Sequence, residues 1–135
     1  MIPMYVGLHH GIQFCKKGGL MQFGVSISGM AIAPMPDNGN MSQRLADIIS
    51  WVRKARDLGF DYISTGQHYV SHPYQNLQPI PLLARLAAES GSMRLHTTIL
   101  FPLQHPVELA EQMATLDIIT GGKLTIGVGI GYREE

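Results

Sequence analysis

Residues 60–69 read Phe60-Asp61-Tyr62-Ile63-Ser64-Thr65-Gly66-Gln67-His68-Tyr69. The β-branched and aromatic residues of this run make a short buried strand directly after the helix stop Leu58-Gly59. The run breaks at Gly66, so Gly66, Gln67 and His68 fall just past the strand's carboxyl end. Parallel α/β folds bind their ligands at that end of the strands, which makes His68 the first candidate for chemistry.

Working outward, residues 22–28 alternate in polarity and are rich in β-formers, predicting a first strand that leaves through Ser28-Gly29-Met30. The link 31–41 holds Pro34, Pro36, Asp37, Asn38 and Gly39, and is predicted to be a surface loop over the carboxyl end. A helix over residues 42–58 follows, with Leu45, Ile48, Ile49, Val52 and Ala55 on one face and Gly59 as its left-handed cap. Beyond the strand at 60–69, a polar, Pro-containing loop runs to Pro79. Pro81 suits the first turn of a second helix that turns Leu82, Leu83, Leu86 and Ala87 inward and closes at Gly91. Residues 94–100 form the third strand, stopped by Pro102. His105-Pro106 then opens a third helix, whose Leu109, Ala110, Met113, Leu116 and Asp117 keep helical spacing up to Gly121-Gly122. A fourth strand covers 123–128. The strands begin near residues 22, 61, 94 and 123, a recurrence that fits βαβ crossovers. Four parallel strands and three helices follow from the pattern. A barrel and an open, doubly wound flavodoxin-like sheet both use this unit, although no Ser/Thr-Gly-rich phosphate loop follows the first strand to favour the second.

With 135 residues the chain can bury one ordinary core, yet it is far shorter than the roughly 250 residues of a complete eight-stranded α/β barrel. Ten Lys and Arg balance ten Asp and Glu, and the longest basic run is Lys16-Lys17, so there is no footprint for nucleic acid or a membrane surface. One cysteine, Cys15, excludes an internal disulfide framework, and no apolar run reaches the roughly 18 residues of a membrane span. The expectation is a cytoplasmic protein. Residues 1–20 lack helical or strand periodicity and are read as a leader or poorly ordered extension, leaving 21–135 as the domain.

Several stretches carry a resemblance beyond pattern. They are Gly24-Val25-Ser26, the run Ala55-Arg56-Asp57-Leu58-Gly59-Phe60-Asp61, Gly66-Gln67-His68-Tyr69 and Leu103-Gln104-His105-Pro106. The series continues with Ala114-Thr115-Leu116-Asp117, Gly121-Gly122-Lys123-Leu124 and Gly127-Val128-Gly129-Ile130-Gly131-Tyr132. In this order and spacing the chain resembles the amino-terminal half of the bacterial luciferase-like flavin monooxygenase family. The resemblance implies the first four strands of a TIM (β/α)8 barrel and an oxidoreductase that uses reduced FMN and O2 on a small-molecule substrate. A flavin reductase would be the electron donor. Hydride transfer on the deazaflavin F420 is the alternative chemistry within the family. Family members commonly have Glu-His-His where this chain has Gln67-His68-Tyr69.

The resemblance makes His68 the proton donor or acceptor, a role suited to an imidazole whose unperturbed pKa is about 6.5. It also puts the strand holding Thr98 beside the flavin ring. Thr97 or Thr98 should point into the sheet interior, where a hydroxyl needs a partner, and a bond to a neighbouring backbone carbonyl is the plainer use. Gly129 and Gly131 are candidate cofactor contacts, because a missing side chain lets a ring approach the backbone; strand-end bending is the alternative. The run is no dinucleotide fingerprint, since Tyr132 stands where the third glycine is needed. Arg133 is a candidate for the flavin phosphate. His68 and His72 lie on a loop without the helical face of a paired zinc site, and no metal site is expected. As half a barrel the chain would have open strand edges, so pairing with another copy or with a missing carboxyl-terminal half is expected. A non-catalytic half-barrel fragment or interaction module is the remaining alternative.

Overall fold

A computed structural model describes residues 12–17, 20–29, 31–34, 41–70 and 73–131. Among the described residues seven strands and three α-helices run in the order β1 (Ile12–Lys17), β2 (Leu20–Ser26), β3 (Ile32–Pro34), α1 (Met41–Asp57), β4 (Tyr62–Gly66), β5 (Tyr74–Asn76), α2 (Pro79–Ala87), β6 (Arg94–Leu100), α3 (Pro106–Thr120) and β7 (Leu124–Gly129). The main sheet has the order β1-β2-β4-β6-β7. Pairing is parallel from β2 to β7, and β1 joins β2 antiparallel.

The parallel strands therefore stand side by side in chain order, and their helices share one face. Ile27, Ile63, Leu95 and Ile99 point to that face and meet Ile48 and Val52 of α1, Leu82, Leu83 and Leu86 of α2, and Leu109, Met113 and Leu116 of α3 in one core. A doubly wound sheet would reverse its strand order and carry helices on both faces. The architecture is thus part of a (β/α)8 barrel, and the flavodoxin-like alternative is excluded.

The helix limits follow their stop signals. Gly59 (φ 80°) lies two residues past α1, and Gly121 (φ 64°) caps α3 in the left-handed region. The Gly122 N–H bonds the Asp117 carbonyl at 2.9 Å. One expectation differs, and one helix face is narrower than its spacing. The helix α2 begins at Pro79 and ends at Ala87, four residues before Gly91, and Ala110 and Asp117 face solvent rather than the core. Glu89, just past α2, accepts from Arg53 of α1 and from Arg85, each at 2.8 Å. These two hydrogen bonds hold its carboxyl down at about 2.

Two features lay outside the sequence pattern. Residues 12–17, within the stretch read as a leader or poorly ordered extension, form β1 along the edge of β2. The two carboxyl-end loops are also clasped together, because β3 pairs antiparallel with β5 and the Leu77 N–H bonds the Ala31 carbonyl at 2.9 Å.

Candidate active site

The sheet face turned away from the helices is built from the alternate residues. Register places Ser26, Ser64, His96 and Thr125 in one row across β2, β4, β6 and β7. Below that row, Gly24 lies under the Tyr62 ring: a Cβ on Gly24 would stand 2.2 Å from it. Tyr62 and Ser64 are buried here, and burial pushes the His96 imidazole below its ordinary value.

Toward the carboxyl end the row Gly66, Thr98, Gly127 is almost bare. A Cβ on Gly127 would lie 2.9 Å from Thr98 Oγ1, and one on Gly129 would lie 3.5 Å from Thr98 Cγ2. Thr98 is therefore the one side chain of that row, and it is exposed. Thr97 points the other way, into the helix-facing core, at 0% exposure. Its hydroxyl and that of Thr65, its register partner on β4, make no hydrogen bond among the described residues. The expectation of a partner for the inward threonine is thus not met among the described residues.

His68 follows this row on the β4–α2 loop and is half-buried. Its carbonyl accepts the Gln78 amide at 3.0 Å. Gly131 (φ 84°) lies just past β7, and a Cβ there would be 3.9 Å from Leu100 Cδ2. His68, Thr98, Gly129 and Gly131 thus gather at the carboxyl end of adjacent strands. Arg133, Tyr132 and His72 lie outside the described residues. Among the described residues no cluster of His, Cys, Asp or Glu could hold a metal.

Sequence reasoning treated Gln67 as a departure from a family motif and missed its structural part. It is 6% exposed, its Oε1 accepts the Leu100 N–H at 2.9 Å, and its Nε2 donates to the Tyr69 phenol oxygen at 2.7 Å and to Gln78 Oε1 at 3.3 Å. Gln104 donates to the same phenol oxygen. The partners are up to 35 residues apart, a separation that hides them from local pattern.

Residues 21–135 match the family model for luciferase-like monooxygenases. The chain belongs to this family. The luciferase-like relatives include the oxygenase component of a flavin-dependent trigonelline monooxygenase of Acinetobacter baylyi, 32% identical over 70% of this chain and 27% of that protein. Among solved structures, monooxygenase RslO1 from Streptomyces bottropensis is 29% identical with a TM-score of 0.72, over 82% of this chain and 33% of that one. The oxygenating constituent of 3,6-diketocamphane monooxygenase from Pseudomonas putida, solved with FMN, shares the fold with a TM-score of 0.65 at 24% identity, over 73% of this chain and 28% of that one. The chain therefore spans about a third or less of the length of these luciferase-like proteins.

Proposed function

We propose that this chain forms the cofactor-binding part of a flavin-dependent monooxygenase, with reduced FMN as cofactor and O2 and a small organic molecule as substrates. The observation that carries this reading is the set of small residues Gly66, Thr98, Gly127 and Gly129, which register brings together as a bed at the carboxyl end of the sheet. Such a bed fits a planar ring, since a side chain at Gly127 would meet Thr98 before a ring could settle.

Bound reduced flavin would supply the electrons that activate O2. The residues of this chain supply placement. Thr98 offers a hydroxyl to the ring edge, Gly129 and Gly131 let the ring approach the backbone, and Arg133 serves the phosphate. His68 holds or accepts a proton beside the reacting oxygens, a role that imidazole chemistry permits near neutral pH. The naming of the trigonelline relative as an oxygenase component supports a separate flavin reductase as electron source. A cytoplasmic setting accords with the described helices, none of which is long and apolar enough to cross a membrane.

Ile126, Val128 and Ile130 are exposed at the β7 edge, Val128 by 67%. In the assembled enzyme this edge is covered by further strands of the barrel or by a second copy of the chain.

The test is a fluorescence-quenching titration with FMN, run beside F420, on the chain and on His68→Ala. Stoichiometric FMN binding by both proteins, with oxygenation lost at least 100-fold in the variant once a substrate is found, is the expected result. A folded chain that takes neither flavin would overturn the reading, and a preference for F420 would move it to hydride transfer.

A further inference from the structure

The backbone ladder between β4 and β6 ends at the pair Gly66 and Thr98. The next N–H of β6 on the β4 side, that of Leu100, is bonded not by backbone but by the Gln67 side chain. Gln67 thus extends the ladder by one rung and anchors the start of the β4–α2 loop. Its amide nitrogen faces two acceptors, the Tyr69 phenol oxygen and Gln78 Oε1.

A chain of polarity follows. Because Gln67 presents N–H to Gln78, Gln78 turns its oxygen toward Gln67 and its own amide toward His68, where it donates to the carbonyl at 3.0 Å. Because Gln67 and Gln104 both donate to the phenol oxygen of Tyr69, the residue after His68 is held between the β4–α2 loop and the segment that leads into α3. His68 is fixed through the side chains of both neighbours and through its own carbonyl.

We propose that Gln67 is the positioning residue for His68, acting through the amide orientation of Gln78 and through Tyr69. The proposal rests on the reading of His68 as the proton-transfer residue. A carboxylate at position 67 would keep the bond to the Leu100 N–H but has no proton for Gln78. The Gln78 amide then turns over, its oxygen meets the His68 carbonyl, and the link breaks while the strand anchor stays. Gln67→Glu therefore separates positioning from folding.

The experiment uses the whole chain labelled on histidine side chains and reads the imidazole cross-peaks by NMR, with His68 assigned through His68→Ala. In the parent His68 is expected to give one sharp set of imidazole cross-peaks. Gln67→Glu and Gln78→Ala are expected to displace, split or broaden it while His96 and His105 keep theirs, and Gln104→Ala to produce a smaller displacement. Unchanged His68 signals in both of the first two variants would overturn the proposal. General broadening of His68, His96 and His105 alike in Gln78→Ala would also overturn it, because the network would then only hold the fold together. These spectra need no flavin, so failure of FMN binding defeats the functional reading alone. Unmoved His68 signals beside intact FMN binding defeat the positioning role alone.

Discussion

The two faces of one sheet are made to different rules. Toward the helices, β4 and β6 present Ile63, Thr65, Leu95, Thr97 and Ile99, all buried. On the opposite face the same strands present Tyr62, Ser64, Gly66, Arg94, His96 and Thr98, and β7 adds Thr125, Gly127 and Gly129. The first set removes apolar surface from water and drives folding. As far as Thr98 and Gly129 the second set grows smaller toward the carboxyl end, which costs stability and leaves room. A strand cannot spend one residue on both faces, so alternation separates the face that holds the protein together from the face proposed to bind.

This contrast can be broken at the helix-facing side first. Leu83→Ala should cost about 2–5 kcal/mol in urea unfolding, the range for emptying a packed leucine site. While the variant remains folded its FMN affinity should match the parent's. A loss of affinity without a loss of stability would show that the faces are not separate.

Gly127→Val tests the other side. Its Cβ would crowd Thr98 Oγ1 and fill the bed, so FMN affinity should fall at least tenfold, about 1.4 kcal/mol. The unfolding midpoint should move less than in Leu83→Ala. Unaltered affinity would remove the bed from the cofactor site.

The smallest effects belong to the neighbouring threonines. Thr97→Val replaces a buried hydroxyl that has no partner among the described residues and should leave stability unchanged or raise it by up to about 1 kcal/mol. Thr98→Val, exposed on the opposite face, should stay within about 0.5 kcal/mol and weaken FMN instead. The reverse pattern, measured by thermal unfolding and titration, would exchange the roles of the two residues.

Much of the scaffold was legible because its signals are local. The spacing of Ile48, Val52 and Ala55, the glycines at 59 and 121, and the run at 94–100 each act within a few residues. The edges of α2 were less so. Pro81 is tolerated anywhere in a first turn, and Gly91 takes its positive φ in the turn beyond the helix rather than at its cap. Ala110 and Asp117 kept helical spacing without being buried, since periodicity cannot tell how wide a buried stripe is.

The βα repeat and the position of His68 past a strand end could be read from the chain alone, because strand alternation and turn chemistry are properties of neighbouring residues; Thr98 became a candidate through the family resemblance, and Gly129 through its missing side chain. Tertiary structure decided the rest. The order of strands, which separates barrel from doubly wound sheet, depends on which edge each new strand joins, and no residue records that choice alone. The β3–β5 clasp and the Gln67, Gln78, Tyr69 and Gln104 network join residues far apart in the chain, so their hydrogen bonds exist only once packing has brought the loops together.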